Sequence, residues 1–378
     1  RFFNYKKGKK TMNLLDEARK EISAADRIIA EQFEKRMRAV ENVAKYKKEH
    51  SLPVFDSDRE DALIKKNLEY LSDNGVKDLY VLFQKQVMDL SKQYQSTLIS
   101  GQRIAFSGIA GAYAHIAATK IFPEARVYPM PNFEKAYRSV EEGECDAVIL
   151  PIENSMAGEV GANIDMMFAG SLYITGIYEL RISHNLLAKP GTELSEIKEV
   201  VSHTQALEQC RDFIERNGLT TINEANTAMA AKKVADSEDR SVAAIASKET
   251  AELYGLEIIK ESINENTSNT TRFAVLSRQR HSDANNRLFT LVFIVKHEAG
   301  ALAKAIDIIG EFGFNMQMIK SRPLRSSLWQ YYFFTEIEGN PDSENGRKML
   351  EKLGEYCLEL KVLGSYGKHI KIESQEVL

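Results

Sequence analysis

Hydrophobic and polar positions follow three different patterns along this chain. Over 13–95, long charged side chains alternate with apolar ones at helical spacing, and Pro53 is the only proline. The pattern predicts a first helix over about 14–48, stopped at Ser51-Leu52-Pro53, then a second from near Asp58, ended by Asn74-Gly75, and a third over 77–95. At 1.5 Å per residue the first helix is roughly 50 Å long, too long to be stable without partners. Three such helices cannot enclose a good core alone, so a helical dimer is expected.

From 101 to about 277, short apolar runs alternate with amphipathic segments. Strands are expected at 103–106, 147–150, 199–202, 241–246 and 272–276, with helices at 112–120, 133–141, 206–217 and 225–235. This alternation predicts parallel sheets covered by helices, in two lobes around a cleft. Two polar clusters stand out. The apolar run 147–150 ends in Pro151 and is followed by Glu153, Asn154 and Ser155, while Asn269-Thr270-Thr271-Arg272-Phe273 leads into the strand 274–276. Ligands of open α/β sheets bind outside the carboxyl ends of strands, so the clusters suggest two strand edges facing one cleft. Ordinary polar turns are the alternative. After a polar linker at 278–286, the order strand 287–296, helix 301–312, strand 315–323, strand 329–337, helix 344–357 and strand near 360–364 is the ferredoxin-like arrangement. The fold class expected is multi-domain: all-α over 12–97, two-lobed α/β over 101–278, and α+β ferredoxin-like over 287–373.

Composition narrows the classes. A length of 378 residues fits two or three domains, and 43% hydrophobic with 28% charged residues is that of a soluble globular protein. A net charge of -4 gives no overall electrostatic case for a nucleic-acid partner. No apolar run approaches the ~20 residues needed to span a bilayer. Cys145, Cys210 and Cys357 lie far apart with no C-x-x-C pair, which suggests neither a zinc site nor a disulfide framework and makes a cytoplasmic location the expectation. Met12 reads as the natural start, the residues before it being a leader, upstream-encoded sequence or a non-native remnant.

On the first helix Leu15, Ile22, Ile29 and Val43 fall on a seven-residue repeat, with Arg36 in the slot between Ile29 and Val43. A second row reads Ala18, Ala25, Gln32, Ala39. A guanidinium in an apolar seam needs an anionic partner. Lys47 lies about 20° round the helix from Arg36 and ~16 Å along it, so the two cations could converge on one ligand. A solvated basic face with Arg36 snorkelling is the alternative. Arg19 points roughly 80–100° away from both, toward a neighbouring chain.

The stretch Leu14-Leu15-Asp16-Glu17-Ala18-Arg19-Lys20-Glu21-Ile22, with Pro53-Val54-Phe55-Asp56-Ser57-Asp58-Arg59-Glu60, resembles the all-helical chorismate mutases, which rearrange chorismate to prephenate. The resemblance implies a cationic pocket of Arg36, Arg59 and, from across a dimer, Arg19. It makes Lys47 and Gln95 donors to the breaking ether oxygen, puts Asp56 and Glu60 near the substrate hydroxyl, and makes Ser91 a closing contact. These residue types suit the chemistry. Arginine forks bind carboxylates bidentately, and a fixed ammonium and amide stabilise an oxygen that gains charge in the transition state.

The central region resembles prephenate dehydratase over nearly its whole length. The resemblance rests on Pro151-Ile152-Glu153-Asn154-Ser155 followed by Gly158, Val201-Ser202-His203-Thr204-Gln205-Ala206-Leu207-Glu208-Gln209-Cys210, Asn269-Thr270-Thr271-Arg272-Phe273, and Ala243-Ala244-Ile245-Ala246-Ser247 with Ala251-Glu252-Leu253-Tyr254-Gly255. It implies a periplasmic-binding-protein-like fold and removal of the ring carboxylate and hydroxyl of prephenate to give phenylpyruvate. Thr271 matches the threonine that assists hydroxyl departure, and Arg272 either orients an anion or supports the site from behind. Glu153, Asn154, Ser202 and Gln209 match cleft-lining positions, and Ser155 and Phe273 belong to the same motifs as site residues. His203, alone at a helix start, reads as a cap or packing residue more than as an acid. Where the family has Gly-Pro-x-Gly-Thr-Tyr/Phe-Ser, this chain has Gly108-Ile109-Ala110-Gly111-Ala112-Tyr113-Ala114, so the loop's hydroxyl contacts are lost.

The last region resembles an ACT domain, a module that senses amino acids. Gly300-Ala301-Leu302 matches its helix-start turn and Ser321-Arg322-Pro323 most of its Glu-Ser-Arg-Pro motif, with Lys320 in place of the glutamate. The resemblance implies that Gly300, Ala301, Leu302, Asn315, Ser321, Arg322 and Pro323 bind phenylalanine between two such domains. A dimerisation domain that has lost sensing is the alternative.

The expectation is therefore a bifunctional enzyme acting on chorismate and prephenate, inhibited by L-phenylalanine. It needs no metal or organic cofactor and has no nucleic-acid or membrane partner. A homodimer is expected and a tetramer is left open. Arogenate in place of prephenate, and a non-catalytic acid sensor, are the alternatives.

Overall fold

The structure, a computed structural model, describes residues 14–50, 52–53, 57–266, 268–324 and 330–372. Met12, Ser51, Asp56 and Trp329, on which parts of the sequence reading fall, lie outside the described residues. The chain divides into two compact units after Gly101.

The first unit is three helices, α1 (Leu14–Glu49), α2 (Ser57–Leu68) and α3 (Lys77–Ser100). Asn74-Gly75 does not end α2, as expected, but opens α3. The Asp73 carboxylate accepts the Gly75 N–H at 2.8 Å and caps a 3-10 turn at Asn74–Val76. Helix α3 also runs past Gln95 until Gly101, at φ +75, returns its N–H to Thr97 O. Among the described residues of this unit only Val40, Ala44 and Met88 are buried apolar side chains. Leu15, Ile22 and Ile29 of the seven-residue row are each at least half exposed.

The second unit begins with a lobe of β1 (Arg103–Ser107), α4 (Tyr113–Ile121), β2 (Arg126–Met130), α5 (Phe133–Glu141), β3 (Ala147–Asn154), β4 (Gly158–Glu159), α6 (Gly161–Ala169) and β5 (Tyr173–Arg181). The chain crosses to a second lobe of β6 (Asn185–Ala188), β7 (Glu199–Ser202), α7 (Thr204–Gln209), α8 (Arg211–Arg216), β8 (Thr220–Asn223), α9 (Thr227–Asp236), β9 (Val242–Ala246), α10 (Lys248–Tyr254) and β10 (Glu257–Lys260). It returns to the first lobe as β11 (Thr270–Ser277). The second lobe's sheet has the order β10-β6-β9-β7-β8.

Two expectations change here. The sheets are mixed: β1 is parallel to β2 and β3, and β7 to β8 and β9, but the returning strand β11 is antiparallel to both β3 and β5. Strand β3 also does not stop at Pro151 but continues to Asn154. Proline lacks a ladder N–H. Pro151 is tolerated because pairing with β1 has ended at Ile149 and the partner strand β11 shifts register between Arg272 and Phe273.

The rest of the unit is β12 (Leu288–Ile294), α11 (Ala301–Glu311), β13 (Asn315–Pro323), β14 (Tyr331–Glu338), α12 (Glu344–Tyr356), β15 (Glu359–Tyr366) and β16 (Ile370–Ile372). The strand order β13-β14-β12-β15, with both helices on one core, is ferredoxin-like. The polar linker does not separate this block from the first lobe. Strand β15 meets β5 at Gly364 and Ile174, so both belong to one 11-stranded sheet. A Cβ at Gly364 would overlap the Ile174 backbone, so the junction requires glycine.

Candidate active sites

The three helices of the first unit surround a cavity of ≈ 120 Å³. Helix α1 supplies Arg36 and Lys47, α2 supplies Arg59 and Glu60, and α3 supplies Ser91, Lys92 and Gln95. The eleven-residue spacing therefore does bring Arg36 and Lys47 to one place. Arg36 Nη1 donates to Ser91 Oγ, and Ser91 Oγ donates to Val87 O at 2.7 Å. Burial lowers the Arg36 pKa, so an anion in the cavity would relieve the cost of its charge. Gln95 is buried, and its Oε1 has no hydrogen-bond partner. An orphaned buried acceptor costs about 1–3 kcal/mol, a cost that a bound ligand can offset.

Lys92 was not foreseen. Its Nζ reaches Glu60 Oε2 at 3.2 Å and Asp89 Oδ1 at 2.8 Å. The signal was the helical spacing Met88, Lys92, Gln95, which puts the lysine on the cavity face. Arg19 is exposed and is not among the lining residues. It stands about 26 Å along the helix from Arg36, beyond its reach within one chain. Asp56 lies outside the described residues.

In the second unit the two polar clusters are not separate edges across a cleft. They are neighbours in one antiparallel ladder, Asn154 opposite Thr271 and Glu153 opposite Arg272. Asn154 Nδ2 donates to Thr271 Oγ1 at 2.9 Å and to Asn269 Oδ1 at 2.8 Å. Its Oδ1 accepts the backbone N–H groups of Met156 and Ala157 at 3.0 and 2.9 Å. Backbone N–H groups only donate, so they fix which end of the Asn154 amide is oxygen. Thr271 Oγ1 is then an acceptor toward Asn154, and its own proton is left to be donated elsewhere. Gln209, from α7 of the second lobe, accepts from Asn269 Nδ2 at 2.9 Å through Oε1. Ser155 Oγ accepts the Thr270 N–H at 3.0 Å and closes the end of the ladder.

Two expected cleft residues, Glu153 and Ser202, stand off the face of Asn154 and Thr271, as do Phe273 and Arg272, the latter in the position behind the site that was one of its two readings. Successive strand residues face opposite sides, so Glu153 and Arg272 project behind Asn154 and Thr271. There Arg272 donates to Glu179 at 3.0 Å and to Glu153 at 3.4 Å, and Lys320 Nζ donates to Glu153 Oε1 at 2.6 Å. Phe273 is buried in the core with Phe106 and Ala117. Ser202 is fully buried and donates to Ile245 O at 2.6 Å, tying β7 to β9. His203 caps α7, its Nδ1 accepting the Gln205 N–H at 3.3 Å. In the altered loop, Gly108 and Gly111 have φ +106 and +88. The carbonyls of Ala110 and Gly111 accept from Tyr254 and Thr250 of the second lobe at 2.8 and 2.9 Å.

In the ferredoxin-like block Gly300, at φ +81, starts α11, with Ala301 buried and Leu302 on the block's core. Asn315 pairs with Glu338 at one end of β13 and Arg322 with Tyr332 at the other, so the two do not meet within one chain. Ser321 and Pro323 are exposed. Arg322 pairs with Glu159 at 2.6 Å and Asp165 at 3.0 Å, and Tyr332 donates to the same Asp165 at 2.6 Å. At the far end of α6, Lys361 Nζ donates to the carbonyls of Met167 and Phe168 at 3.1 and 3.0 Å, and also to Gly170 O. Helix α6 is thus held at both ends by the block.

Among the described residues no helix is long and apolar enough to cross a membrane. The chorismate mutase type II profile matches residues 18–96, and the prephenate dehydratase profile matches residues 104–281. A bifunctional chorismate mutase/prephenate dehydratase of Aquifex aeolicus is 30% identical over 365 residues, covering 94% of this chain and 99% of that one. The Neisseria gonorrhoeae protein of the same name is 35% identical over 288 residues, 75% of this chain and 80% of its own. Arogenate dehydratase/prephenate dehydratase 2 of Arabidopsis thaliana is 34% identical over 289 residues, 73% of this chain and 76% of its own. Among solved structures, prephenate dehydratase of Arthrobacter aurescens in complex with L-Phe matches with TM-score 0.66 at 29% identity, over 70% of this chain and 90% of that one. The quorum quenching acylase GqqA matches with the same TM-score at 31% identity, over 70% and 98%. With both profiles present in order and a bifunctional relative aligned nearly end to end, the chain belongs to the chorismate mutase/prephenate dehydratase family of aromatic amino acid biosynthesis.

Proposed function

We propose that the second unit converts prephenate to phenylpyruvate with Thr271 as the proton donor. The observation that carries this reading is the fixed polarity at Asn154, which makes Thr271 Oγ1 an acceptor from Asn154 and leaves its proton for a departing group. As the ring C–O bond breaks, the leaving hydroxide takes that proton and departs as water. The bond to the ring carboxylate breaks in the same sense, carbon dioxide leaves, and its electron pair completes the aromatic ring. The Asn154 N–H stabilises the alkoxide forming on Thr271. The threonine is then reprotonated from solvent.

The first unit rearranges chorismate in the α1–α3 cavity. Arg36 and Arg59 hold the carboxylates, Lys47 and Gln95 the ether oxygen, and Glu60 faces the hydroxyl. Arg19 comes from a second copy, a reading supported by its distance from the cavity and by the uncovered row Leu15, Ile22, Ile29. The block over 287–373 is an ACT domain that binds phenylalanine and inhibits the dehydratase. Its ferredoxin-like order and the L-Phe complex of the Arthrobacter relative support this.

The test gives the purified chain chorismate alone and prephenate alone and follows phenylpyruvate, beside Thr271→Val. Phenylpyruvate from both substrates, lost in Thr271→Val with prephenate still formed from chorismate, is the expected result. A Thr271→Val chain as active as the wild type would overturn the assignment. Arogenate is the second reading, favoured by relatives whose names carry both substrates. Turnover of arogenate above that of prephenate would select it.

A further inference from the structure

His184 lies where the chain crosses from β5 to β6 and is 3% exposed. Its Nε2 is 2.9 Å from Gln209 Oε1 and its Nδ1 3.2 Å from the Tyr113 hydroxyl, and its backbone N–H donates to Asn264 Oδ1 at 3.0 Å. No motif of the sequence marks it.

The chain of hydrogen bonds ending at Thr271 is a set of amides, each of which could in principle be turned end for end. At one end the Met156 and Ala157 N–H groups settle Asn154. That directs Asn154 Nδ2 to Asn269 Oδ1, and hence Asn269 Nδ2 to Gln209 Oε1. At the other end, among the described residues, His184 is what faces Gln209 Oε1 beyond Asn269. An oxygen with two lone pairs accepts twice, so the imidazole must present Nε2–H, and the bare Nδ1, 3.2 Å from the Tyr113 hydroxyl, shares that O–H with Ser183 O at 3.0 Å. Burial pushes the His184 pKa down to about 4, which keeps the ring neutral, so that only one of its nitrogens carries a proton. A Gln209 turned the other way would set its NH₂ against Asn269 Nδ2. Asn269 could relieve that clash only by turning its own NH₂ toward Asn154 Nδ2, which cannot turn. Asn269 would then move, and Asn154 and Thr271 with it.

We infer that His184 is a positioning residue for Thr271, acting through Gln209, Asn269 and Asn154 to hold the hydroxyl in the orientation that donates. The inference rests on the assignment of Thr271 above. It joins both lobes to the reacting hydroxyl, since Gln209 belongs to the second lobe and Asn154 and Thr271 to the first.

His184→Gln and His184→Asn separate this role from packing. Glutamine can put an N–H near the place of Nε2, whereas asparagine reaches only the place of Nδ1. The full chain is assayed with prephenate for kcat and KM, with mutase activity and thermal unfolding recorded on the same samples and Thr271→Val run in parallel. His184→Asn is expected to lose about ten-fold or more in kcat with KM within about two-fold, and His184→Gln to recover most of it. Equal kcat for the two variants, or a loss that appears only in KM or only in unfolding temperature, overturns the inference. An active Thr271→Val would instead overturn the assignment on which it rests, so the two failures are distinct.

Discussion

Lys320 of β13 donates to Glu153 of β3 at 2.6 Å, so the ferredoxin-like block touches the residue next to the asparagine that holds Thr271. Lysine stands here where the ACT resemblance expects glutamate, and the partner explains it. With Arg272 at 3.4 Å, Glu153 is compensated by two cations. Lys320→Glu would set two carboxylates against each other. The pair is partly exposed, at 19% and 27%, so the loss expected is about 1 kcal/mol and not the several of a buried charge. A urea titration checks the stability. Phenylpyruvate formation should fall beyond the unfolded fraction, because the repulsion bears on β3. Unchanged stability and turnover would show that the contact carries nothing.

Gly161 begins α6 directly under the Arg322 guanidinium, and a Cβ there would collide with it. Arginine tips usually move aside cheaply, but this one is held by Glu159 and Asp165. Gly161→Ala therefore costs those ion pairs, on the order of 2 kcal/mol. In Arg322→Met the same alanine should cost much less. A double-mutant cycle on unfolding free energy reads this directly. Additive effects would mean that the guanidinium is not what the methyl meets.

The chain's patterning announced its long elements well and its polar geometry poorly. Apolar runs such as 147–150 and 199–202 became strands because the hydrophobic signal is strong in covered sheets. Strands β2 (Arg126–Met130) and β8 (Thr220–Asn223), which edge their sheets and are largely exposed, were missed, and so were β5 (Tyr173–Arg181) and β6 (Asn185–Ala188), although both lie inside their sheets. Glu153, Asn154, Thr271 and Arg272 were all singled out, but as two clusters facing one cleft. The period of two could have divided them had β3 been carried through Pro151. His184 left only a faint mark, the polar run Ser183-His184-Asn185 between apolar stretches. Its importance comes from Gln209 and Asn269, which only the fold brings near. On α1 the seven-residue row Leu15, Ile22, Ile29 was legible in the sequence, yet all three side chains are at least half exposed.

Gln95 sets stability against activity in the mutase cavity. Its buried Oε1 is unpaired, so Gln95→Leu should leave the ligand-free first unit as stable or more stable, by up to about 1 kcal/mol. If the amide meets the ether oxygen, the same change should lower mutase kcat by about 10²-fold or more. Thermal unfolding and chorismate consumption on one preparation measure both. Marked destabilisation, or near wild-type kcat, would refute the assignment.

His184 makes the second unit sensitive to acid in a definite direction. Burial lowers its pKa from the ordinary 6.5 to about 4, so between those values the unfolded chain binds a proton that the folded chain does not. Stability therefore rises with pH across this window. The contribution is complete above about pH 6.5 and is lost as pH falls toward 4, with a total of roughly 3 kcal/mol. Carboxylates titrate over part of the same range, so the wild-type slope alone does not isolate the histidine. His184→Gln removes the titrating ring and keeps a hydrogen bond to Gln209 within reach. Urea midpoints followed by circular dichroism near neutral pH and near pH 4.5 should show a smaller acid loss in the variant. Equal losses in the two proteins would mean that His184 accepts its proton without unfolding the lobes around it, and that the buried ring is better solvated than its 3% exposure implies.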